Sequence, residues 1–349
     1  METIRTAIIG YGYAGKVLHA QLVRAAKGLE LYAVASRDPA RRQQAAADYG
    51  VRTFESVTEL LRDDSVQLVV LATPHDTHAE LAVQCLEAGR HVVTDKIMCL
   101  TTAEADAMIA AAKRNPRLLS IFHNRRWDGD FLTLRKAVAD GLLGELLVVE
   151  AAVVGFGTPN PERWRAQRQH GGGTFRDWGA HLLDQALQLI DAEVVSVYCD
   201  MLYTEPRLDV ETAARCLFTF GNGVRYVVET GGISALSRPR WYVRGRTGAF
   251  LKEGLDPQET ALRNGQVDAN LPQAPEHRAR VVCNTPNGRK EQTLETIPGN
   301  WPAYYQNIAD HLLRGAELAV TAAQVRRVVA LIEAATESAQ TGRVIATSI

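Results

Sequence analysis

The chain has 349 residues, 46% of them hydrophobic and 23% charged, and carries a formal net charge of −1. That length suits two domains, and the balance excludes a disordered chain, an acidic tail and a basic nucleic-acid-binding surface, leaving a small, neutral partner as the expectation. No apolar run is long enough to span a bilayer, and the N-terminus lacks the regions of a signal peptide, so a cytoplasmic protein with no membrane partner is expected.

Apolar runs and helical patterns alternate through the first third: Thr6 to Ile9 then Gly15 to Ala26, Leu29 to Ala35 then Pro39 to Tyr49, Leu68 to Ala72 then His78 to Ala88. This is the rhythm of a parallel sheet. His91 to Thr94 and Leu118 to Phe122 read as further strands around a helix from Thr102 to Lys113, which completes one doubly wound unit over 1–122. From 123 to 349 the pattern is that of an α+β domain with a large, mostly antiparallel open sheet. A helix from Phe131 to Asp140 precedes strands at Leu146 to Val154, Val194 to Cys199, Ala213 to Phe220 and Val224 to Glu229, with Gly221-Asn222-Gly223 as a hairpin turn. Two helical patterns, Tyr304 to Leu313 and Thr321 to Ala339, close the chain and are placed to pack back on its body. Cys85, Cys99, Cys199, Cys216 and Cys283 are odd in number, scattered and never in C-x-x-C spacing; they read as buried thiols, and no metal site is expected.

Gly10-Tyr11-Gly12-Tyr13-Ala14-Gly15 follows the strand Thr6 to Ile9 and opens a helix. Glycines so placed serve the tight turn, the approach of backbone to a pyrophosphate and helix–strand packing, while the helix N-terminus offers amide donors to phosphate. After the second strand comes Ser36-Arg37-Asp38, where an NAD-binding chain usually has an acid for the ribose hydroxyls. A hydroxyl and a guanidinium suit a 2′-phosphate, so NADP is preferred over NAD. The alternative leaves Arg37 solvated and gives the ribose to Asp38. Thr73, Pro74, His75 and His78 fall in a turn at the carboxyl edge of the next strand, beside the expected dinucleotide, and Thr77 or Asp76 there also suits a helix cap.

Asp95 and Lys96 stand just after the strand His91 to Thr94, again at the carboxyl edge, where a lysine can donate a proton or stabilise charge. The run Gly171-Gly172-Gly173 leads into a helical pattern in which Asp177, His181, Asp184 and Gln188 share one stripe and Leu182, Leu183, Ala186, Leu187 and Ile190 the apolar side. The stripe reads either as an ordinary polar helix face or as an Asp177/His181 pair poised as a general base; a metal site is the weakest alternative.

These residues resemble the glucose-fructose oxidoreductase/inositol dehydrogenase/rhizopine-catabolism family over essentially the whole length. The family's Glu-Lys-Pro motif and Asp-x-x-x-His pair correspond to Asp95-Lys96-Ile97 and Asp177 to His181. Phe122-His123-Asn124-Arg125-Arg126-Trp127-Asp128, Arg163-Trp164 and Gly254-Leu255-Asp256-Pro257-Gln258-Glu259 are similar to its NADP-dependent scyllo-inositol dehydrogenase branch. The resemblance implies that His181 accepts the hydroxyl proton, Asp177 orients it, and Lys96 bonds the reacting oxygen as hydride moves to the nicotinamide. It also places Asn124, Arg125, Trp164 and Trp178 around a polyhydroxylated substrate, in a homodimer or homotetramer built through the C-terminal sheet. Two rivals stay open: a redox-cycling NAD-dependent glycosidase or epimerase, and a dinucleotide-sensing regulator. Asp95 replaces the family's Glu, and Ile97 the Pro that commonly follows a cis peptide bond. Without proline the cis form costs roughly 2.5–4 kcal/mol, so the course of this loop is open on sequence alone.

Overall fold

The computed structural model describes residues 3–267, 271 and 273–349. The chain divides into two compact units, Met1–Asn124 with Gln258–Ala269 and Asn300–Arg326, and Arg125–Pro257 with Asn270–Gly299 and Arg327–Ile349.

In the first unit β1 (Ile4–Ile9) leads through a π turn (Ala14–His19) into α1 (Ala20–Ala25), then β2 (Leu29–Ala35), α2 (Pro39–Tyr49), β3 (Arg52–Phe54), α3 (Val57–Leu61), β4 (Leu68–Leu71), α4 (His78–Glu87), β5 (His91–Thr94), α5 (Thr102–Arg114) and β6 (Leu119–Ile121). The local chemistry explains the boundaries. Asp38 accepts from the Ala40 N–H with Pro39 in the first turn, and Gly50 ends α2 in the left-handed region. Thr101 and Glu104 form a capping box on α5. All four residues of β4 are buried, as befits a strand covered on both faces. The six strands pair in the order β3-β2-β1-β4-β5-β6, all parallel. The winding reverses between β1 and β4, and the carboxyl ends of such strands are where open α/β sheets bind ligands. β3 and α3, three and five residues long, are too short to show in the sequence pattern.

In the second unit α6 (Gly129–Ala139) is followed by β7 (Leu146–Val154), a second π turn (Phe175–Gly179) running into α7 (Ala180–Leu189), β8 (Val194–Leu202), β9 (Ala213–Phe220), β10 (Arg225–Gly231), β11 (Trp241–Gly245) and β12 (Gly248–Lys252). After α8 (Gln258–Arg263) come β13 (Ala279–Thr285), β14 (Gly288–Leu294), α9 (Pro302–Arg314), α10 (Ala322–Thr341) and β15 (Ile345–Ala346). Among the described residues the second sheet has nine strands in the order β14-β13-β12-β11-β7-β10-β9-β8-β15. It is antiparallel except at β10 and β7. Burial alternates along β9 and β10, the mark of a sheet with one covered face. Tyr226 on the covered face donates its hydroxyl to the Leu182 carbonyl of α7 at 2.7 Å.

α8 and α9 belong to the first unit, where α9 packs against α1. Tyr304 on α9 and the Val320 carbonyl both meet the Ser120 hydroxyl of β6, at 2.9 and 2.8 Å.

One expectation is overturned. Cys199 and Cys216 are not thiols: they lie opposite each other on β8 and β9 and form a disulfide. Their pairing is a product of strand register, which residue spacing does not reveal. Cys85, Cys99 and Cys283 are in no disulfide, and the first two are buried.

Candidate active site

Within the first unit the glycine loop is forced by its neighbours. Gly10 has φ +94°, and a Cβ there would stand 2.4 Å from the Ala72 carbonyl oxygen; at Gly15 it would stand 2.1 Å from the oxygen of Gly10. These two glycines close the turn. At Gly12 a Cβ would meet nothing nearer than the Arg41 guanidinium at 3.7 Å, so the loop leaves an open cradle that fits the pyrophosphate of a dinucleotide. Tyr11 is buried and donates to Asp48 at 2.8 Å; burial first, then Asp48, push its phenol above the ordinary range.

Past β2, Arg37 is exposed, and the Arg42 guanidinium holds the turn by donating to the carbonyls of Ser36 and Arg37 at 2.6 and 3.1 Å. Asp38 has local partners: one oxygen caps α2, and Arg41 Nε lies 3.3 Å from the other. Arg41, which the sequence reading overlooked, thus joins Ser36 and Arg37 near the loop. Its signal lay only in its position one turn into α2.

At the carboxyl end of β4 the hydroxyls of Thr73 and Thr77 meet at 2.7 Å, and Thr77 donates to the Pro74 carbonyl. His75 is buried beside His78, whose ring nitrogens lie 3.1 Å from the Thr73 carbonyl and 2.8 Å from that of Ile97. His78 therefore ties the β4 turn to the segment after β5, and burial lowers its pKa against the pull of Asp95 and both carbonyls.

The Lys96–Ile97 peptide bond is cis. The Lys96 N–H donates to the Asp95 carboxylate at 2.8 Å. Asp95 is buried, and its other neighbour is the fully buried His19, with Nε2 at 3.6 Å. Burial alone would raise the Asp95 pKa, but the hydrogen bond and charge of His19, with Lys96 and His78, hold it well below the usual carboxylate range. His19 Nδ1 in turn meets the Tyr305 hydroxyl at 2.7 Å, and its ring packs 4.5 Å from that of Phe122. His19 and Tyr305 were not foreseen; they are 286 residues apart, and nothing local links them. Asn124 is buried at the end of this unit's first segment.

Within the second unit the residues around α7 form a separate group. Arg125 is buried, donates to Asp128 at 3.1 Å, and lies 4.4 Å over the Trp178 ring. Its own carbonyl accepts from Gln185 at 2.7 Å, and Gln185 accepts from Arg240 at 2.7 Å. His181 is buried with its ring 6.2 Å from Trp178. Arg165 links the other two residues, lying 4.3 Å over Trp164 and 3.8 Å from the Asp177 carboxylate. Asp184 leaves the polar stripe expected of it: it is buried in a bidentate pair with Arg126 at 2.7 and 2.8 Å.

Two local features aim this helix. Its first turn is π rather than α, so bonds run i→i+5 and the four-residue spacing of Asp177 and His181 falls short of a full turn. The turn is anchored by Glu211, another residue overlooked in the sequence, whose carboxylate accepts from the Phe175 N–H at 2.8 Å. Gly173, at φ +110°, lies so close against that carboxylate that a Cβ would stand 2.4 Å from its oxygen, which leaves no room for a side chain. Among the described residues no cluster of His, Cys, Asp and Glu is placed to hold a metal ion. Among the described residues no helix is long and apolar enough to cross a membrane.

A doubly wound parallel sheet with this loop at its switch point, joined to a mostly antiparallel sheet, defines a Rossmann-type, dinucleotide-dependent oxidoreductase. The model of the oxidoreductase family with NAD-binding Rossmann fold matches residues 4–123, and that of the GFO/IDH/MocA C-terminal domain matches 131–251. The chain therefore belongs to the glucose-fructose oxidoreductase/inositol dehydrogenase/rhizopine-catabolism family. It is 39% identical over 344 residues to the uncharacterized oxidoreductase YdgJ of Escherichia coli, covering 97% of each chain. It is 31% identical over 350 residues to the NADP(+)-dependent scyllo-inositol 2-dehydrogenase IolW of Bacillus subtilis, covering 99% of this chain and 96% of that one. The solved structure of the oxidoreductase yvaA from Bacillus subtilis superposes with a TM-score of 0.94 at 29% identity, covering 99% of both. The protein is thus an NAD(P)-dependent enzyme, and the fold expected from the sequence is the fold found.

Proposed function

We propose that this is a cytoplasmic, NADP-preferring dehydrogenase or reductase that interconverts a secondary alcohol and a ketone on a cyclic polyol, sugar or inositol. One observation carries the reading. Lys96 stands two residues past β5, its backbone N–H held by a buried, ionised Asp95, at the edge of the sheet where the dinucleotide loop also lies. The scyllo-inositol 2-dehydrogenase activity of the Bacillus relative points to the same substrate class.

Division of labour follows the chain, with 1–122 binding the dinucleotide and 123–349 the substrate. Gly10, Tyr11, Gly12, Tyr13, Ala14 and Gly15 hold the pyrophosphate, Ser36 and Arg37 with Arg41 the 2′-phosphate, and Thr73, Pro74, His75, His78 and Asp95 the walls beside the nicotinamide. A bound nicotinamide dinucleotide supplies the acceptor, or in the reverse direction the donor, of the hydride. Lys96 donates a hydrogen bond to the carbinol oxygen and stabilises charge developing there. His181 takes the hydroxyl proton on a ring nitrogen as the carbinol C–H bond breaks, so that proton and hydride leave together as the carbonyl forms. Asp177 binds substrate and biases His181, and Asn124, Arg125, Trp164 and Trp178 bind the remaining hydroxyls. Arg125 is suited to this, because the Asp128 pair and the Trp178 face fix its planar fork.

The open face of the second sheet supports self-association. Across it run Tyr198, Leu217, Val227, Glu150, Tyr242 and Leu251, neighbours in register on β8, β9, β10, β7, β11 and β12, with Tyr198, Leu217 and Tyr242 exposed. A homodimer or homotetramer would cover this row. Screening polyols, inositols and sugars with NADP and NAD, by the absorbance of the reduced cofactor, tests the enzymatic reading.

A further inference from the structure

The string Gly254 to Glu259 has no part in the reaction described above, yet its last residues enter the first unit beside the glycine loop. Tyr13, at the tip of that loop, is an unusual residue for a phosphate cradle: large, half-exposed and in right-handed helical conformation. Its hydroxyl donates to Glu259 Oε1 at 2.8 Å and accepts from Arg263 Nε at 2.7 Å. Arg263 Nη2 closes the triangle on Glu259 at 2.9 Å, and the guanidinium lies 5.4 Å from the centre of the Tyr13 ring. Burial, reinforced by Glu259 and partly offset by Arg263, keeps the Tyr13 phenol above its ordinary pKa, so the hydroxyl retains the proton it donates.

α8 is itself a fixed platform. Gln258 accepts from the Trp301 N–H at 2.6 Å, at the start of α9. The Leu262 carbonyl accepts from Gln21 on α1 at 2.8 Å, and Ala261 and Leu262 are buried. A six-residue helix distant in sequence is thus bolted to the helix behind the loop, while its half-buried Glu259 and exposed Arg263 reach over to the loop tip. Exposed ion pairs contribute little to folding. Their effect is larger on a loop that must keep its amides aimed at a ligand, because every contact that pre-orders the loop lowers the cost of binding.

We propose that Tyr13, Glu259 and Arg263 form a clasp that holds the glycine loop closed on a bound nicotinamide dinucleotide and slows its release, with Glu259 and Arg263 as positioning residues for the loop. This rests on the cofactor reading of the first unit. Tyr13→Phe removes the hydroxyl and keeps the ring; Arg263→Ala removes the cation; the double variant completes a cycle. Dissociation of NADPH is followed by stopped-flow fluorescence, its affinity by titration, and amide hydrogen exchange by mass spectrometry over residues 12–17. Each single variant is expected to speed dissociation about three- to tenfold and to raise exchange in 12–17. The double variant should be no worse than about the larger single, since both remove one shared contact, and Arg263→Lys should recover part of the loss. Folded variants whose dissociation stays within about twofold of wild type, or whose effects simply multiply, would overturn the clasp. A wild-type chain that bound neither NADP nor NAD would instead overturn the cofactor reading, and the clasp with it.

Discussion

In the enzyme proposed above, cofactor choice turns on Arg37 and Arg41. Asp38 caps α2 and pairs with Arg41, so this acid is already engaged while Arg37 stays exposed. Charge-assisted bonds to phosphate contribute roughly 1.5–3 kcal/mol each, less where solvent screens them. Arg37→Ala with Arg41→Ala is therefore expected to raise the KM for NADP about tenfold or more and to change that for NAD about twofold at most. Equal losses for both cofactors in steady-state kinetics would show that neither arginine reads the 2′-phosphate. The same scale shows what sequence can and cannot disclose. The turn-forming glycines Gly10 and Gly15 and the position of Lys96 just past a strand are legible because they are local, set by a strand that ends and a turn that follows. His19, Tyr305 and Glu211 are not, because each acquires its role from a partner 36 to 286 residues away.

At the scale of elements, the π turn and α7 depend on one buried carboxylate. Glu211 is pushed up in pKa by burial, against the Phe175 N–H, Arg176 and Arg168, so a proton there weakens the anchor. Removing the acceptor leaves a buried N–H without its partner at a cost of about 1–3 kcal/mol. Glu211→Ala should lower the melting temperature by several degrees and lower kcat through α7, whereas Glu211→Gln, which still accepts, should recover most of the stability. Calorimetry checks the first claim; a Glu211→Ala protein as stable as wild type would contradict it. β5 gives a second test. His91 Nδ1 accepts from the Leu118 N–H at 3.0 Å, and burial, with Arg117 and His311, pushes its pKa from 6.5 down to about 4. The unfolded chain binds this proton first, so stability is full above about pH 6.5 and falls as the pH drops toward 4. The loss should be roughly 1 kcal/mol, since the ring is partly solvated, and chemical denaturation of His91→Gln should show a flatter profile over that window. A profile identical to wild type would remove His91 from the account. The α7 stripe was readable from its apolar side, but the π start and the Arg126–Asp184 pair were not, because both arise from packing rather than period.

For the whole molecule, the order of runs in the first third was enough to specify a doubly wound sheet, since alternating strand and helix patterns admit little else. β11 to β14 were harder to see: β11 and β12 have five residues each, β14 is mostly polar, and successive pairing outward from β7 through β11 defines them. The Cys199–Cys216 pair shares that origin. The open row through Leu217 predicts self-association. Leu217→Asp, a charge placed mid-row, should shift the mass found by light scattering from an oligomer to a monomer. A wild-type monomer, or an oligomer indifferent to that change, would show that the face is not an interface. The central claim, however, is the chemistry assigned to Lys96 and His181. Its most direct measurement is reduction of NADP by wild type and His181→Ala across a panel of inositols, cyclic polyols and sugars, with NADP binding measured beside it. The account predicts turnover of at least one such substrate by wild type, a loss of about a thousandfold or more in His181→Ala, and nearly equal NADP affinity in the two. NADP binding without turnover of any substrate, or a His181→Ala enzyme as active as wild type, would contradict it.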